Sequence, residues 1–278
     1  MQLSPQQVRH FHTFGYLHFP QLFAPEEIAW ITGEFETAIR SVGGGDAHDG
    51  SRRTMFGGPI ERTQKLCALL DDPRVLGILG GVLGEDFLYA GGDGNYYTGD
   101  TPWHPDGNWG RLFGVKVAFY LDPVTRETGC LRVLPGSQDP SHPVRRGRID
   151  PNDAQQMFGL APREFPGQAA LETVPGDLVL FNHDLYHSAW GGGPRRRMFT
   201  MNCIPALKTE EDLVTGRQYL SVHSPGGYDV DTGAGMYFPP MLDTAGEGRL
   251  VHLRQAAAIH DELFPQYARS AERAEGMG

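Results

Sequence analysis

Two short segments of the chain carry side chains that could bind a metal ion. The first, Thr101-Pro-Trp-His-Pro-Asp-Gly-Asn-Trp-Gly110, places His104 and Asp106 two residues apart. In an extended strand such residues point to the same side, so both could face one ion. The second, Asp177-Leu-Val-Leu-Phe-Asn-His-Asp-Leu-Tyr-His187, offers two further histidines. By itself, a His-x-Asp sequence surrounded by proline and glycine is more often an exposed turn than a metal site. A third potential ligand elsewhere in the chain is needed to favour the metal site.

The candidate for that third ligand is His187. Pro175-Gly176 predicts a turn, and residues 178–181 predict a buried strand that ends shortly before this histidine. Two histidines and one carboxylate can occupy one face of an octahedral Fe(II) and leave three positions open. A 2-oxo acid would fill two of these positions and dioxygen the third. The chemistry that this residue set supports is iron-dependent oxidation.

Three consecutive arginines follow, Arg195, Arg196 and Arg197, at the start of another predicted strand. The far carboxylate of a 2-oxo acid needs a planar, bidentate cation, which arginine provides. Neighbouring residues of a strand point to opposite faces, so Arg197 should point away from Arg196. Two of the three arginines are therefore expected to belong to a solvated basic turn.

The segment His183-Asp-Leu-Tyr-His187 also permits a different interpretation, a zinc-protease motif of the HExxH type with Asp in place of Glu. That chemistry requires both histidines on one helical face. The strand before the segment and the turn Gly191-Gly-Gly-Pro194 after it disfavour a helix. We therefore expect His183 to be structural or to hold a group next to the site.

The composition of the chain disfavours several classes of function. With 34 acidic and 24 basic residues among 278, the formal net charge is -10, which disfavours a nucleic-acid partner. Three sparse cysteines without a CxxC arrangement favour a reducing compartment. The N-terminal residues lack the apolar run of a signal peptide, and no apolar stretch approaches the length of a membrane span. We expect a cytoplasmic protein with a small-molecule substrate and no membrane partner.

The elements that must position these residues fall into three regions of one predicted domain, 1–278. The first region, about 1–85, is expected to contain helices that begin at Pro5, Pro25 and Pro73, and a further helix near 61–70. A mobile loop is expected at 42–59. A β core is expected over about 86–205, interrupted by a polar, proline-rich insertion or lid at 138–170. Irregular chain and a helix near 248–274 follow, over about 206–278. The predicted strands lie at residues 87–90, 94–97, 115–121, 129–134, 177–181 and 198–202, a pattern typical of a β sandwich or barrel.

The chain resembles the phytanoyl-CoA dioxygenase family of Fe(II)/2-oxoglutarate-dependent oxygenases. Four motifs in the same order carry the resemblance: the opening residues 3–27, the His-x-Asp motif, Glu127-Thr-Gly-Cys-Leu-Arg-Val-Leu-Pro-Gly-Ser137, and the run from Pro175 to His187. This resemblance covers most of the chain. It implies a double-stranded β-helix, the jelly-roll or cupin-like core, with flanking helices, which agrees with the mainly β pattern above.

The resemblance also implies roles for individual residues. It makes His104, Asp106 and His187 the iron ligands and Arg196 the 2-oxoglutarate arginine, with Arg195 and Arg197 as fallbacks. Asn95 and Tyr97 match the strand that helps to hold 2-oxoglutarate in the family. Many relatives carry a polar residue two places after the distal histidine, whereas this chain has Ala189. The tryptophans near the motifs are predicted to line a substrate pocket or to pack: Trp103, Trp109 and Trp190.

The reaction implied is oxidative decarboxylation of 2-oxoglutarate to succinate and carbon dioxide with O2, coupled to hydroxylation of a small metabolite or natural product. Desaturation, epoxidation and ring formation remain alternatives. Relatives that halogenate replace the carboxylate ligand with a small residue, so the presence of Asp106 disfavours halogenation. A different class, a non-catalytic jelly-roll protein that binds metal or ligand, also remains open. The sequence does not identify the substrate or the oligomeric state.

Overall fold

The structure, a computed structural model, describes residues 1–268. Its helices are α1 (Pro5–Phe14), α2 (Pro25–Ser41), α3 (Gln64–Cys67), α4 (Pro73–Leu83), α5 (Ala154–Phe158), α6 (Glu210–His223), α7 (Pro239–Asp243), α8 (Glu247–Val251) and α9 (Arg254–Leu263). Its strands are β1 (Tyr16–Phe19), β2 (Thr54–Gly57), β3 (Leu88–Tyr89), β4 (Asp93–Tyr97), β5 (Thr101–His104), β6 (Val115–Tyr120), β7 (Leu131–Val133), β8 (Ala169–Leu171), β9 (Leu178–Asn182), β10 (His187–Ala189) and β11 (Arg196–Ile204).

The predicted helix starts and stops at the N-terminus are confirmed. Ser4 caps α1 by accepting a hydrogen bond from the Gln7 amide, Pro5 occupies the first turn, and Gly15 ends the helix at φ 84°. Glycine suits that left-handed position because it has no Cβ to clash. Helix α2 begins at a proline and buries an apolar face at helical spacing: Ile28, Ile31, Phe35 and Ile39. Helix α4 also runs as predicted, from Pro73 to Leu83.

The strands form two antiparallel sheets. The larger has the order β1-β9-β6-β11-β4-β2, with β3 paired to the far end of β11, and the smaller has the order β5-β10-β7-β8. One buried apolar cluster contains residues of both sheets, among them Tyr120 and Phe181 of the larger sheet and Val133 and Leu171 of the smaller. Two antiparallel sheets that share one core are the predicted double-stranded β-helix.

Contacts along the chain define two compact units. One comprises Leu3–Phe56 and Gly94–Thr200 and contains the residues of both predicted metal segments. The other comprises Met1–Gln2, Gly57–Asp93 and, within the described residues, 201–268, with α3, α4 and α6–α9 among its elements. The organisation of residues 1–278 as a single domain stays a prediction.

Several predicted boundaries are wrong. The expected loop at 42–59 contains strand β2. The sequence gives little signal for this strand, because Thr54–Gly57 is short and glycines surround it. The chain after 203 is not irregular throughout, because Thr209 caps the 14-residue helix α6, whose weak apolar face gives little sequence signal. The helix expected near 248–274 is two helices, α8 and α9, and its end lies outside the described residues. Strands β5, β8 and β10 have three or four residues each and were missed.

Searching residues 1–268 for a helix with the length and apolarity to cross a membrane finds none.

Candidate active site

Strands β5 and β10 bring the two predicted metal segments together. They pair antiparallel, and His104 lies directly opposite His187 in the register. The two imidazole rings lie 4.3 Å apart between centroids. Since side chains of directly opposed residues point to the same face of a sheet, both histidines face the same space.

His104, Asp106 and His187 form the cluster that could hold a metal ion. One ligand atom from each of the three residues lies within 4.8 Å of the others. The Nε2 atom of His104 is 3.8 Å from Oδ1 of Asp106, and that of His187 is 3.6 Å from Oδ2. Two imidazoles and one carboxylate on one side of a common point match the donor set of the facial triad that binds non-haem iron.

The second nitrogen of each imidazole orients its ring. Nδ1 of His104 lies 2.8 Å from the Pro102 carbonyl oxygen, and Nδ1 of His187 lies 2.9 Å from the Leu185 carbonyl oxygen. A carbonyl only accepts, so each Nδ1 donates, and in the neutral ring Nε2 is then the nitrogen that carries the lone pair. Burial lowers the pKa of His187 to about 4, against the raising effect of Asp106. Both rings therefore present the tautomer that a metal requires, and His187 is neutral at pH 7.

Lys116 of β6 reaches the carboxylate ligand. Its Nζ lies 2.8 Å from Oδ2 of Asp106, and both side chains are largely buried. Burial by itself would raise the pKa of Asp106, but the charge of Lys116, joined by the imidazoles of His187 and His183 when these are protonated, outweighs it and holds this pKa well below its usual range. The Asp106 carboxylate is therefore ionised, and Lys116 contacts one of its two oxygens. Lys116 lies in the predicted strand 115–121, where no sequence motif assigns it a role.

Arg196 is a buried cation with no ion pair or hydrogen bond at two of its guanidinium nitrogens among the described residues. It is 4% exposed, and its Nε and Nη1 atoms have no hydrogen-bond partner among the described residues. Leaving a buried guanidinium unpaired is costly, so an anionic ligand is the natural partner for it. The guanidinium lies 4.8 Å from the centroid of the Tyr97 ring, its cross-strand neighbour on β4.

The inward face of β6 connects the cluster with this arginine. Lys116 contacts Asp106 at one end of that face, and Tyr120 lies on the same face four residues further. Burial raises the pKa of Tyr120 to about 12, although the charges of Arg196 and Lys116 lower it. At about 3.3 Å per residue, the two ends of this face are roughly 13 Å apart along the strand. Tyr120 thus lies within electrostatic range both of Arg196 and of Lys116, which contacts the metal cluster.

Asn95 and Tyr97, the residues matched to the co-substrate strand, share a face with Arg196. Asn95 is fully buried, and its Oδ1 accepts a hydrogen bond of 2.6 Å from Nε of Arg53. The Arg53 guanidinium also lies 4.4 Å from the Tyr97 ring centroid. The hydroxyl of Tyr97 lies 2.7 Å from that of Thr101. Sequence analysis missed Arg53, because it lies in a segment predicted to be a mobile loop.

The other two consecutive arginines, Arg195 and Arg197, form ion pairs with acidic side chains. Arg197 pairs with Asp122 and Glu36, and these partners raise its pKa against the effect of burial. Arg195 pairs with Glu36 and lies over the Tyr96 ring. The predicted alternation along the strand is present, and it leaves Arg197 on the face opposite Arg196. The position of Arg197 therefore does not support a shared role in binding the co-substrate.

The three tryptophans differ in their surroundings. Trp103 is 3% exposed, and its indole nitrogen donates to the Pro162 carbonyl within an apolar cluster that also contains Phe165. Trp190 packs against the same cluster and donates to Ser188. For Trp103 and Trp190 the structure favours the packing alternative. Trp109 is half-buried and follows Asp106 by three residues, so it is the tryptophan best placed to meet a substrate.

The segment His183–His187 is not helical. Strand β9 ends at Asn182 and β10 begins at His187, so the zinc-protease geometry is absent from this part of the structure. The ring of His183 is buried, and its proximity contributes to lowering the pKa of Asp106. This agrees with the prediction that His183 lies next to the site without being a ligand.

A family profile matches most of the chain. The profile is described as "Phytanoyl-CoA dioxygenase (PhyH)" and matches residues 11–198. This range includes the three residues of the metal cluster and all three consecutive arginines. No curated protein sequence matches the chain.

Solved structures share the fold at low sequence identity. HygX from Streptomyces hygroscopicus, with nickel and 2-oxoglutarate bound, has a TM-score of 0.60 and 19% identity over 76% of this chain and 90% of HygX. The 2-oxoglutarate-dependent carbocyclase SnoK from nogalamycin biosynthesis has a TM-score of 0.57 and 20% identity over 73% and 85%. EctD from S. alaskensis, with 2-oxoglutarate and 5-hydroxyectoine, has a TM-score of 0.55 and 19% identity over 73% and 76%.

Proposed function

The chain belongs to the phytanoyl-CoA dioxygenase family, and we propose that it is an Fe(II)- and 2-oxoglutarate-dependent oxygenase that hydroxylates a small-molecule metabolite or natural product. The observation that carries this proposal is the buried guanidinium of Arg196. Its Nε and Nη1 atoms have no hydrogen-bond partner among the described residues, and it acts electrostatically on Tyr120, as does Lys116 beside the metal cluster. A protein that only bound a metal would have no use for a buried cation at this place.

The residues of the cluster fit iron. His104, Asp106 and His187 would hold Fe(II) through two Nε2 atoms and one carboxylate oxygen, the set that leaves positions open for other ligands. When bound, iron and 2-oxoglutarate supply the oxidising chemistry, in which O2 is consumed and 2-oxoglutarate becomes succinate and carbon dioxide. The protein supplies the fixed imidazoles and the ionised Asp106.

Arg196 would hold the far carboxylate of 2-oxoglutarate. Its Nε and Nη1 atoms are buried without a hydrogen-bond partner among the described residues, so the guanidinium retains donors for a carboxylate. Tyr97 would fix the guanidinium plane by stacking, and Asn95, held by Arg53, would border the same ligand. Because Ala189 stands where many relatives carry a polar residue, Arg196 would provide a larger share of the 2-oxoglutarate binding.

The substrate class rests on the structural relatives. One HygX structure contains hygromycin B, and one EctD structure contains 5-hydroxyectoine, both small polar molecules. A small metabolite is therefore proposed here too, with Trp109 as its first contact. Ring formation stays an alternative outcome, since SnoK is a carbocyclase. The buried, unpaired Cys67, Cys130 and Cys203 agree with a cytoplasmic location as part of the proposal.

The test is 2-oxoglutarate turnover by the full chain. With Fe(II), O2 and a panel of small metabolites, the protein should release succinate, and His104→Ala should abolish the release. His12→Ala, a change at an exposed histidine of α1, serves as the matched control and should retain full turnover. Absence of iron-dependent succinate across the panel would favour a non-catalytic binding protein.

A further inference from the structure

A buried carboxylate outside the metal cluster links the two ligand-bearing segments. Asp184 is 1% exposed and lies three residues before His187. Removing a carboxylate from water costs several kcal/mol unless charges and hydrogen bonds compensate. The partners of Asp184 therefore indicate what this buried charge does.

The carboxylate of Asp184 binds the backbone just after Asp106. The amide of Trp109 lies 3.1 Å and 3.0 Å from its two oxygens, and the amide of Gly110 donates to Oδ2 at 2.9 Å. The preceding residue, His183, accepts a hydrogen bond of 2.9 Å from the Gly107 amide at its carbonyl. Residues 107–110, called the clamp segment below, are thus tied to the chain that leads into His187.

Arg145 holds the same segment from the other side. Its Nη1 donates to the Gly107 carbonyl at 3.3 Å, and its Nη2 donates to Oδ1 of Asn108 at 2.5 Å. The same Nη2 lies 3.4 Å from Oδ2 of Asp184, and the Arg145 side chain is 6% exposed. Arg145 belongs to the insertion between β7 and β8, so a third part of the chain converges on the clamp segment.

The clamp segment has little conformational freedom in this arrangement. A Cβ added to Gly107 would lie 2.5 Å from Nε1 of Trp109 and 2.9 Å from Oδ1 of Asp184. The indole therefore folds back against the residue that directly follows Asp106. Fixing this backbone fixes both the carboxylate ligand on one side of Gly107 and the indole on the other.

We propose that Asp184 and Arg145 are positioning residues, which clamp residues 107–110 so that the Asp106 carboxylate and the Trp109 indole each keep one orientation at the metal centre. This inference rests on the proposed function. Asp184 and Arg145 touch neither the metal cluster nor a ligand in this arrangement, and they act through the backbone of the clamp segment. Neither residue was assigned a role by its sequence context.

The test uses Asp184→Asn and Arg145→Met in the full chain, with Arg146→Met, a change at the exposed neighbour, as the matched control. Binding of Co²⁺, an air-stable substitute for Fe²⁺, is titrated by its visible absorption. Residues that orient a ligand from outside typically change metal affinity about 10- to 100-fold. Both variants should weaken Co²⁺ binding by about 10-fold or more and shift the absorption bands at saturation, whereas Arg146→Met should change neither.

Backbone amide exchange measured on the metal-free protein provides an independent readout. In both variants, amides of residues 107–110 should exchange at least about 10-fold faster than in the unchanged protein. Unchanged Co²⁺ affinity and spectrum, or unchanged exchange, would overturn the proposal. If Asp184→Asn does not fold, Arg145→Met decides alone. If the unchanged protein binds no Co²⁺, the proposed function fails, and amide exchange still decides whether the clamp exists.

Discussion

Gly129 lies against the guanidinium of Arg196 so closely that a side chain at position 129 would displace it. A Cβ added to Gly129 would lie 1.7 Å from Nη1 of Arg196, and the glycine has a φ of +91°. A Cβ on Gly192 would lie 2.8 Å from the same Nη1 atom. The Thr-Gly-Cys motif thus has a physical function, since its glycine makes room for the cation that would bind 2-oxoglutarate.

Gly129→Ala should therefore weaken 2-oxoglutarate binding while leaving the metal cluster intact. Displacing the guanidinium removes charge-assisted hydrogen bonds of about 1.5–3 kcal/mol, so we expect the dissociation constant to rise at least about 10-fold. Calorimetry with 2-oxoglutarate and the Co²⁺-loaded protein measures it. Gly147→Ala is the control, because Gly147 has a φ of +63° and nothing within 4 Å of its added Cβ. Equal affinities in both variants would contradict the assignment.

Arg196→Met and Arg197→Met should have opposite effects. Arg196→Met should weaken 2-oxoglutarate binding about 100-fold without destabilising the metal-free protein, because it removes a buried, unpaired charge. Arg197→Met breaks ion pairs with Asp122 and Glu36 and should cost on the order of 1 kcal/mol of unfolding free energy, with binding unchanged. Binding titrations and urea unfolding of both variants check this. Loss of binding in Arg197→Met alone would reverse the assignment.

Much of the metal site could be predicted because its residues are local in sequence. His104 and Asp106 are two residues apart, and alternation along a strand suffices to place Arg196 and Arg197 on opposite faces. The resemblance matched Asn95 and Tyr97 to the co-substrate strand, and the register of β4 with β11 places both on the face that Arg196 occupies. Hydrophobic periodicity could not predict that His104 pairs with His187, because strands β5 and β10 have only four and three residues.

The residues that were missed act through contacts between distant parts of the chain. Lys116 meets Asp106 from another strand, and Arg53 meets Asn95 from a segment without periodicity. Arg145 meets Asp184 from within the insertion. Such contacts depend on the tertiary arrangement of loops, which local propensity does not determine. Helix α6 was missed for a different reason, since its buried residues are few and its composition is largely polar.

Lys116→Met should weaken metal binding. Lys116 holds Oδ2 of Asp106 at 2.8 Å, and loss of a group that orients a metal ligand typically costs about 10- to 100-fold in affinity. We expect a Co²⁺ dissociation constant about 10-fold higher, measured by competition with a chelator. Lys116→Arg, which retains the charge and donors, should restore part of the affinity. Tighter binding in Lys116→Met would mean that repulsion between the ammonium and the metal ion dominates instead.

Glu61 should make stability depend on pH. It is 1% exposed, and burial raises its pKa from 4.5 to about 7 although Phe238 and Tyr89 donate hydrogen bonds to it. A carboxyl with a raised folded-state pKa stabilises the fold fully below its unfolded-state pKa, and this contribution is lost as pH rises through the folded-state value. Between pH 4.5 and pH 8 the loss should approach about 3 kcal/mol.

Glu61→Gln removes this titration. Urea unfolding at pH 4.5 and pH 8 should show a smaller fall in unfolding free energy for Glu61→Gln than for the unchanged protein. The glutamine side chain still accepts a hydrogen bond, which makes it the matched neutral substitute. The same pH dependence in both proteins would show that Glu61 does not titrate in this range.

The central claim is that His104, Asp106 and His187 hold Fe(II) while Arg196 holds 2-oxoglutarate beside it. Anaerobic addition of Fe(II) and then 2-oxoglutarate tests both parts at once, because 2-oxoglutarate chelated to Fe(II) gives a visible metal-to-ligand charge-transfer band. We predict that the band appears with the unchanged protein and disappears in Asp106→Ala. No band in the unchanged protein, or a full band in Asp106→Ala, would contradict the claim.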